Sequence, residues 1–409
     1  GRGYGMSTSL LYHGFGIIGY RYVRSKYEGG KVIFRVKQER GNMMCPCCSS
    51  DNVKKRGSFV RRFRSVPIGS KPVVVELPVQ RIECEECGVV RQVDIRFADE
   101  RRTYTRAFER YVLELSRRMT MLDVARHLGV SWGLVKDIQK RNLERRFRNP
   151  RLADLDLIAI DEISIGKHHK YLTVVLDLRT GAVVHVGDGR GADSLDPFWK
   201  RIKRRGIKLR AVAIDMSPSY IASVLENHPG AEIVFDHFHV IKMYNDKLSD
   251  LRRELYREAT GPLEKKVLKG TRWLLLKNPD NLNAKRNERL HLEEALKLNE
   301  PLALAYYMKE YLRQIWKQPN KAKAEEILDD WIVKAKASRI KMLIHFANTL
   351  ITHRRGILAY YDYPISTGPL EGTNNKIKTL QRQAYGFRDK EFFKLKILAL
   401  HESKYALVG

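Results

Sequence analysis

The sequence predicts a multidomain α+β protein, with a β-rich head, a helix-turn-helix and an α/β domain that an all-helical insertion interrupts. Three observations carry that expectation. All five cysteines crowd into 45–87, four of them as Cys45-x-x-Cys48 and Cys84-x-x-Cys87. Two apolar, strand-like runs hold acids where a buried strand usually has none: Asp161 and Glu162 in LIAIDEISI (157–165), and Asp215 closing the apolar part of LRAVAIDM (209–216). Residues 259–350 then show helical periodicity with no strand signal. The expected boundaries are 6–100 for the head, 101–150 for the helix-turn-helix, 151–258 for the first part of the α/β domain, 259–350 for the insertion and 351–409 for the last part.

Length and composition limit the partners. A chain of 409 residues with 43% apolar residues is long enough for two to four domains with real cores. Its formal charge of +29, from 76 Lys and Arg against 47 Asp and Glu, repels itself unless a polyanion is the partner. The first 150 residues carry 31 basic against 15 acidic side chains, the remaining 259 carry 45 against 32, so the front is denser in charge. The cations are interspersed with apolar residues, which predicts a folded basic surface and not a tail. No stretch reaches eighteen apolar residues and no charged segment precedes an apolar one, so neither a membrane span nor a signal peptide is expected. A cytoplasmic protein that faces double-stranded DNA follows. Gly1 to Gly5 precede Met6 and are read as an expression scar or upstream extension, outside the fold.

In the head, apolar and polar residues alternate over 17–38 around Glu28-Gly29-Gly30, which predicts a hairpin. Phe59 to Phe63 and Val73 to Ile82 alternate likewise and join the two cysteine knuckles. One Cys-x-x-Cys knuckle turns two thiolates toward one metal, and two knuckles complete a tetrahedral sulfur shell. The reading is a zinc-binding head in which Cys45, Cys48, Cys84 and Cys87 hold structural Zn2+, with Cys47 spare. Arg61, Arg62 and Arg64 either meet phosphates or form a solvated ribbon face.

Residues 104–118 predict an amphipathic helix, and 120–138 follow with the order of a helix-turn-helix. Thr120 caps the first helix, Val124, Ala125 and Leu128 are core, Gly129 makes the turn, and Ser131 caps the second helix. Ser131, Trp132, Lys136 and Lys140 would then face a DNA groove. A plain helical hairpin fits the same pattern.

Beyond the basic linker 145–152, strands are expected at 157–165, 171–178 and 182–187, a helix at 193–204, a strand at 209–215, a helix at 218–227, a strand at 231–236 and a helix from about 239 to 258. That is the ribonuclease-H-like order, in which the first and fourth strands are neighbours. Asp161 and Asp215 therefore meet at one edge of the sheet, where open sheets carry their sites. Glu162 is the local rival to Asp161, and Asp215 could instead cap the following helix. In the insertion, Trp273, Trp316 and Trp331 are expected to be core residues more than base-stacking ones. A third acid must come from elsewhere. Glu371, in STGPLEGTNN, is the candidate, opening a helix to about 382 with Lys376, Lys378 and Arg382 nearby; as a plain helix-start residue it would be favoured by the macrodipole.

Three carboxylates from two strands and a helix can hold two magnesium or manganese ions. One activates water or a 3′-hydroxyl and the other stabilises the leaving oxygen of an in-line displacement, which is phosphodiester chemistry. Hard cations suit the carboxylates and zinc suits the thiolates.

Taken in order, the Cys-x-x-Cys head, the helix-turn-helix, AIDEISIGKHHKYLTVVLD, AIDMSPSY, VFDHFHVIKMYNDKLSDLRRE and STGPLEGTNNKIKTLQRQAYGF resemble the acidic-triad (DDE) transposases of bacterial insertion sequences, and within them the ISL-three family. The resemblance covers nearly all the chain from about residue 8. It implies a DNA transposase that binds terminal inverted repeats and cuts and joins strands with a catalytic triad of Asp161, Asp215 and Glu371, favouring Asp161 over Glu162. It implies auxiliary roles for Asp236 and His239 of an Asp-x-x-His motif and for Lys378, seven residues past the glutamate, although His237 and His239 could equally be core histidines. It also implies a homodimer or larger assembly, target DNA as a second substrate and a nucleoid-associated location. The tyrosine and arginine that precede the glutamate in some relatives are not evident: Tyr363 is offset, and no arginine lies between Arg355 and Glu371. Two other functions share these features, a DNA-binding regulator with an inactive α/β domain and a structure-selective nuclease or resolvase.

Overall fold

The computed structural model describes residues 10–39, 43–166, 170–262, 265, 268–269, 271–277, 279–384 and 386–402. Lys167, in the turn expected after the first α/β strand, lies outside them. The chain parts into two compact units at Arg146/Phe147.

In the first unit a short helix α1 (Leu10–Phe15) precedes the strands β1 (Tyr20–Glu28), β2 (Lys31–Gln38), β3 (Val53–Ile68), β4 (Lys71–Cys84) and β5 (Val90–Gln92). They form one sheet in the order β1-β2-β4-β3, with β5 added to β4. The expected hairpin turns on Gly29 and Gly30, whose φ values of 55° and 72° are both in the region that a two-residue turn of this twist needs. One face of the sheet buries Val32, Val36, Phe63, Val73, Val75, Leu77 and Val79, the alternate residues of their strands.

Three helices follow: α2 (Arg106–Leu115), α3 (Met121–Leu128) and α4 (Trp132–Phe147). Each of the first two is capped by a threonine, Thr105 accepting from the Phe108 N–H and Thr120 from the Asp123 N–H. Gly129 ends α3 at φ 60°, ψ 43°, a left-handed geometry that a side chain would strain. Ser131 caps α4 by accepting from the Leu134 N–H at 3.2 Å. The apolar faces meet through Phe108, Val112, Val124, Ala125, Leu128, Val135 and Ile138, so the helix-turn-helix has a core of its own.

The second unit is built on β6 (Leu157–Gly166), β7 (Lys170–Asp177), β8 (Val183–Asp188), β9 (Ala211–Ile214) and β10 (Glu232–Phe235), in the order β10-β9-β6-β7-β8. Strands β6, β9 and β10 are parallel and β7 and β8 antiparallel, which makes the first and fourth strands neighbours as expected. Between them lie α5 (Asp196–Arg204) and α6 (Pro218–Asn227). Helix α7 (His237–Glu258) starts two residues before the periodicity suggests because Asp236 caps it, accepting from the Phe238 N–H at 3.3 Å.

The helices α8 (Arg272–Leu276), α9 (Glu288–Leu298), α10 (Glu300–Arg313), α11 (Lys321–Ala337), α12 (Lys341–Thr352) and α13 (Arg354–Leu358) come next, then α14 (Gly368–Gln383) and α15 (Lys390–Leu398). The apolar faces of α8 to α13 join those of the sheet in one core that runs from Leu152 to Leu358. Each large side chain buried there contributes roughly 1.5–3 kcal/mol. Trp331 is fully buried and its Nε1–H donates to the Met308 carbonyl at 2.8 Å, as a core tryptophan should. Trp316 is half-buried and packs against the same core, whereas Trp273 is 66% exposed, so the core expectation fails only for Trp273.

Candidate active site

The site starts from strand register. Leu157, Ile158 and Ala159 of β6 lie opposite Ala211, Val212 and Ala213 of β9, and β9 in turn sets Ile214 opposite Phe235 of β10. Extending both registers to the strand ends puts Asp161, Asp215 and Asp236 in one row across three parallel strands. Alternation turns Asp161 and Glu162 to opposite faces.

Asp161 takes two hydrogen bonds, from the Glu162 N–H on Oδ1 at 2.8 Å and from the Asn374 amide on Oδ2 at 2.9 Å. Burial pushes its carboxyl above the usual range and the charge of Asp215 adds to that, against the opposing pull of His239, the Glu162 N–H and Asn374. Glu162 is raised for the same first reason, with Asp215 and Asp161 adding. Asp215 accepts from the Ser217 N–H at 3.0 Å on Oδ1, so it does steady the start of α6. Asp236 is buried. Besides capping α7 it accepts from the Thr367 hydroxyl, and His239 stands 3.9 Å from it while also facing Asp161 and Glu162 electrostatically. His237 also stands by Asp236, its Nδ1 3.5 Å from Oδ1, and lies against the rings of Trp316 and Tyr360.

Helix α14 crosses this row. Thr367, just before it, bonds Asp236 over β10; Asn374 bonds Asp161 over β6; the Gln381 amide donates to the Ile165 carbonyl farther along β6. Residues 367, 371, 374, 378 and 381 fall on one stripe of the helix at the 3.6-residue period. Glu371 lies on this stripe between Thr367 and Asn374, in the first turn of α14, and is exposed. Lys378 is exposed on the same stripe, and Lys376 is exposed off it.

The fit to a hard cation rests on the donor set. Three carboxyls, Asp161, Glu162 and Asp215, act on one another at one edge, Glu371 is exposed on α14, and the buried Asn374 Oδ1 has no hydrogen-bond partner. The acids are not gathered into a closed cage: among the described residues only the cysteine quartet brings three or more ligand atoms within 4.8 Å of one another. Asn374, Thr367 and Gln381 were missed by the sequence reading. The stripe that holds them was legible as the spacing 367–371–374–378–381.

The cysteine site is assembled. Cys45, Cys48, Cys84 and Cys87 lie with their Sγ atoms all within 4.8 Å, Cys45 and Cys87 at 3.6 Å and Cys48 and Cys84 at 3.5 Å. Four sulfurs about 2.3 Å from a tetrahedral zinc stand roughly 3.8 Å apart, so the quartet fits structural Zn2+. Cys47 is exposed and outside it. Backbone N–H groups of Cys48 and Cys47 hold the Cys45 thiol down to about 6, while the neighbouring sulfurs and burial push Cys48 and Cys87 up, so without metal one thiolate is favoured in the quartet.

The basic candidates divide. Arg64 is turned inward, donating to the Leu128 carbonyl at 2.7 Å and lying over the Phe108 ring, so it joins the sheet to the helix-turn-helix and is not available to a phosphate in this conformation. Arg61 donates to the Arg102 carbonyl at 2.7 Å, and Arg62 pairs with Glu76 at 3.2 Å while keeping over half of its side chain exposed. Trp132 is 45% exposed at the start of α4 with the Lys136 ammonium 5.6 Å from its ring centre, and Lys140 is half-buried one turn on.

Three family models match the chain: one described as a transposase over residues 158–397, a helix-turn-helix domain of transposase family ISL3 over 93–141, and a zinc-finger of transposase IS204/IS1001/IS1096/IS1165 over 42–87. The transposase for insertion sequence element IS1001 of Bordetella parapertussis is 33% identical over 363 residues, covering 87% of this chain and 88% of that one. The transposase for insertion sequence element IS1557 of Mycobacterium tuberculosis is 29% identical over 392 residues, covering 89% and 87%. Among solved structures, the Drosophila P element transposase strand transfer complex matches at a TM-score of 0.32 and 9% identity over 61% of this chain and 78% of that one, too slight to bear on the fold.

Proposed function

Because the chain belongs to the ISL3 family of DNA transposases, we propose that it binds the terminal inverted repeats of an insertion sequence and cuts and transfers their strands at the acid row of a ribonuclease-H-like domain. The reading is supported by α14, whose Thr367 and Asn374 bond Asp236 and Asp161 and whose first turn carries Glu371 between them. Asp161, Asp215 and Glu371 are the proposed catalytic acids. Two magnesium or manganese ions held by them would activate the attacking water or 3′-hydroxyl and stabilise the leaving oxygen.

The chain's own residues do the rest. Asn374 fixes the Asp161 carboxylate through its amide, and the buried Asp236 holds His239 toward the acids while anchoring the start of α14. Lys378 lies two turns along from Glu371 and is placed to meet a phosphate. In the first unit α4 would read the major groove with Ser131, Trp132, Lys136 and Lys140, as the second helix of such a motif does. Docking there brings chemistry that is indifferent to sequence to one chosen phosphate. The helices from 259 to 350, read as the insertion, would flank the bound end, and a homodimer would allow cleavage in trans.

A nicking assay on inverted-repeat duplex with magnesium tests the proposal. Wild-type protein is expected to nick at the element end, and Asp161→Ala to lose at least about a thousandfold in rate while still binding the duplex. Equal nicking by both proteins would remove Asp161 from the site, and binding without nicking by either would make the protein a regulator.

A further inference from the structure

The face of the first unit's sheet opposite its core carries a concentration of cations that nothing above assigns. Pairing across the strands sets Arg21 of β1 opposite Lys37 of β2 and Arg24 opposite Arg35, like charges side by side on one face. Lys26 follows on β1, and the parallel and antiparallel ladders continue the same face through Glu76 of β4 to Arg62 of β3. Against these six cations the face offers Glu28, paired with Lys26 at 2.8 Å, and the buried Glu76, shared by Arg35 at 3.6 Å and Arg62 at 3.2 Å. Among the described residues no acid pairs with Arg21, Arg24 or Lys37, and all three are exposed.

Like charges directly opposite one another weaken a sheet, so folding alone gives no reason for two such pairs in succession. A dense external polyanion does. The far end of this face is continuous with the helix-turn-helix: Arg64, next but one to Arg62, reaches the Leu128 carbonyl immediately before the Gly129 turn. From β3 to β1 the sheet extends that edge by three strand spacings, about 14 Å, which is comparable to the width of a duplex groove.

We propose that this cationic sheet face, centred on Arg21, Arg24 and Lys37 of the β1–β2 hairpin, binds the phosphate backbone of duplex DNA without reading sequence and extends the grip of the helix-turn-helix. It rests on the reading of the protein as one that binds duplex DNA. The hairpin lies ahead of the residues that the zinc-finger model matches, so the contact is separate from that module.

The test is the salt dependence of binding of the full-length, zinc-loaded chain to a mixed-sequence duplex. Each phosphate contact contributes about 0.9 to the slope of log affinity against log salt, so the Arg21→Gln/Arg24→Gln/Lys37→Gln variant is expected to lower that slope by roughly 2 to 3 and to weaken binding at low salt by at least about tenfold. The Arg21→Lys/Arg24→Lys variant keeps the charges and should keep the slope. The glutamine variant should also melt no lower than wild type, because its repulsion is relieved. An unchanged slope overturns the proposal, as does a slope that changes on single-stranded RNA and not on duplex, or a glutamine variant that loses zinc and melts early. A wild-type chain that fails to bind any duplex overturns the underlying reading of the protein, and this contact with it.

Discussion

The two candidate metal sites differ in how finished they are. The cysteine quartet joins the turn that holds Cys45 and Cys48, ahead of β3, to Cys84 at the end of β4 and Cys87 in the turn beyond it, and its four sulfurs stand at zinc-binding separations, sheltered on Cys45 and Cys84. The acid row has Asp161 and Asp215 at the ends of adjacent strands, while its proposed third carboxylate, Glu371, stands on the exposed first turn of a helix. A structural metal belongs in a closed shell, whereas a site that must admit a polymer and release a product has to keep one side open. In the proposed site, rigidity would come from the strands and Asn374, and access from Glu371.

The largest effect expected from this contrast is at the closed site. Cys84→Ser should abolish zinc binding, worth on the order of 10–16 kcal/mol in small zinc modules, and with it the melting transition of the first unit; metal analysis and calorimetry read both. Retention of stoichiometric zinc would mean that the quartet is not the ligand set. Next comes the open site. Asn374→Ala removes a hydrogen bond to a partly buried carboxylate and should weaken magnesium or manganese binding about 10–100-fold, with the second unit destabilised by roughly 1–3 kcal/mol. Unaltered metal affinity would reduce Asn374 to packing.

The smallest effect is a pH dependence. Asp161 and Glu162 titrate above their ordinary values in the folded chain, so their protonated forms favour folding. Without divalent metal, the stability they contribute is full at acid pH, below their unfolded values, and falls as pH rises through their folded ones. Asp161→Asn mimics the protonated form. It should melt higher than wild type at neutral pH and equally at acid pH; a lower melting point at neutral pH would mean that the carboxylate is held by a favourable charge partner.

Much of this contrast was legible in the sequence. The strand runs of 157–165 and 209–215 gave the parallel pair, because apolar continuity and a terminal aspartate are local signals, and the Cys-x-x-Cys knuckles declared their shared ligand site by spacing alone. What escaped were contacts between distant segments. Asn374 stood in a quoted motif, yet its bond to Asp161 joins residues 213 apart and has no local mark. Arg64 looked like its exposed neighbour Arg62, but the docked helices cover it, which strand alternation could have shown only once the position of the helix-turn-helix was known. The facing cations of β1 and β2 needed the register, which a bulge between Tyr22 and Arg24 shifts by one residue.

Glu371 is proposed to complete the acid row when a divalent ion and DNA arrive. A crystal structure of the chain with duplex end DNA and manganese, read by the metal's anomalous signal, tests it most directly. The account predicts manganese bound by oxygens of Asp161, Asp215 and Glu371, with Asn374 still on Asp161. Manganese held by Asp161 and Glu162 with Glu371 left in solvent would contradict it.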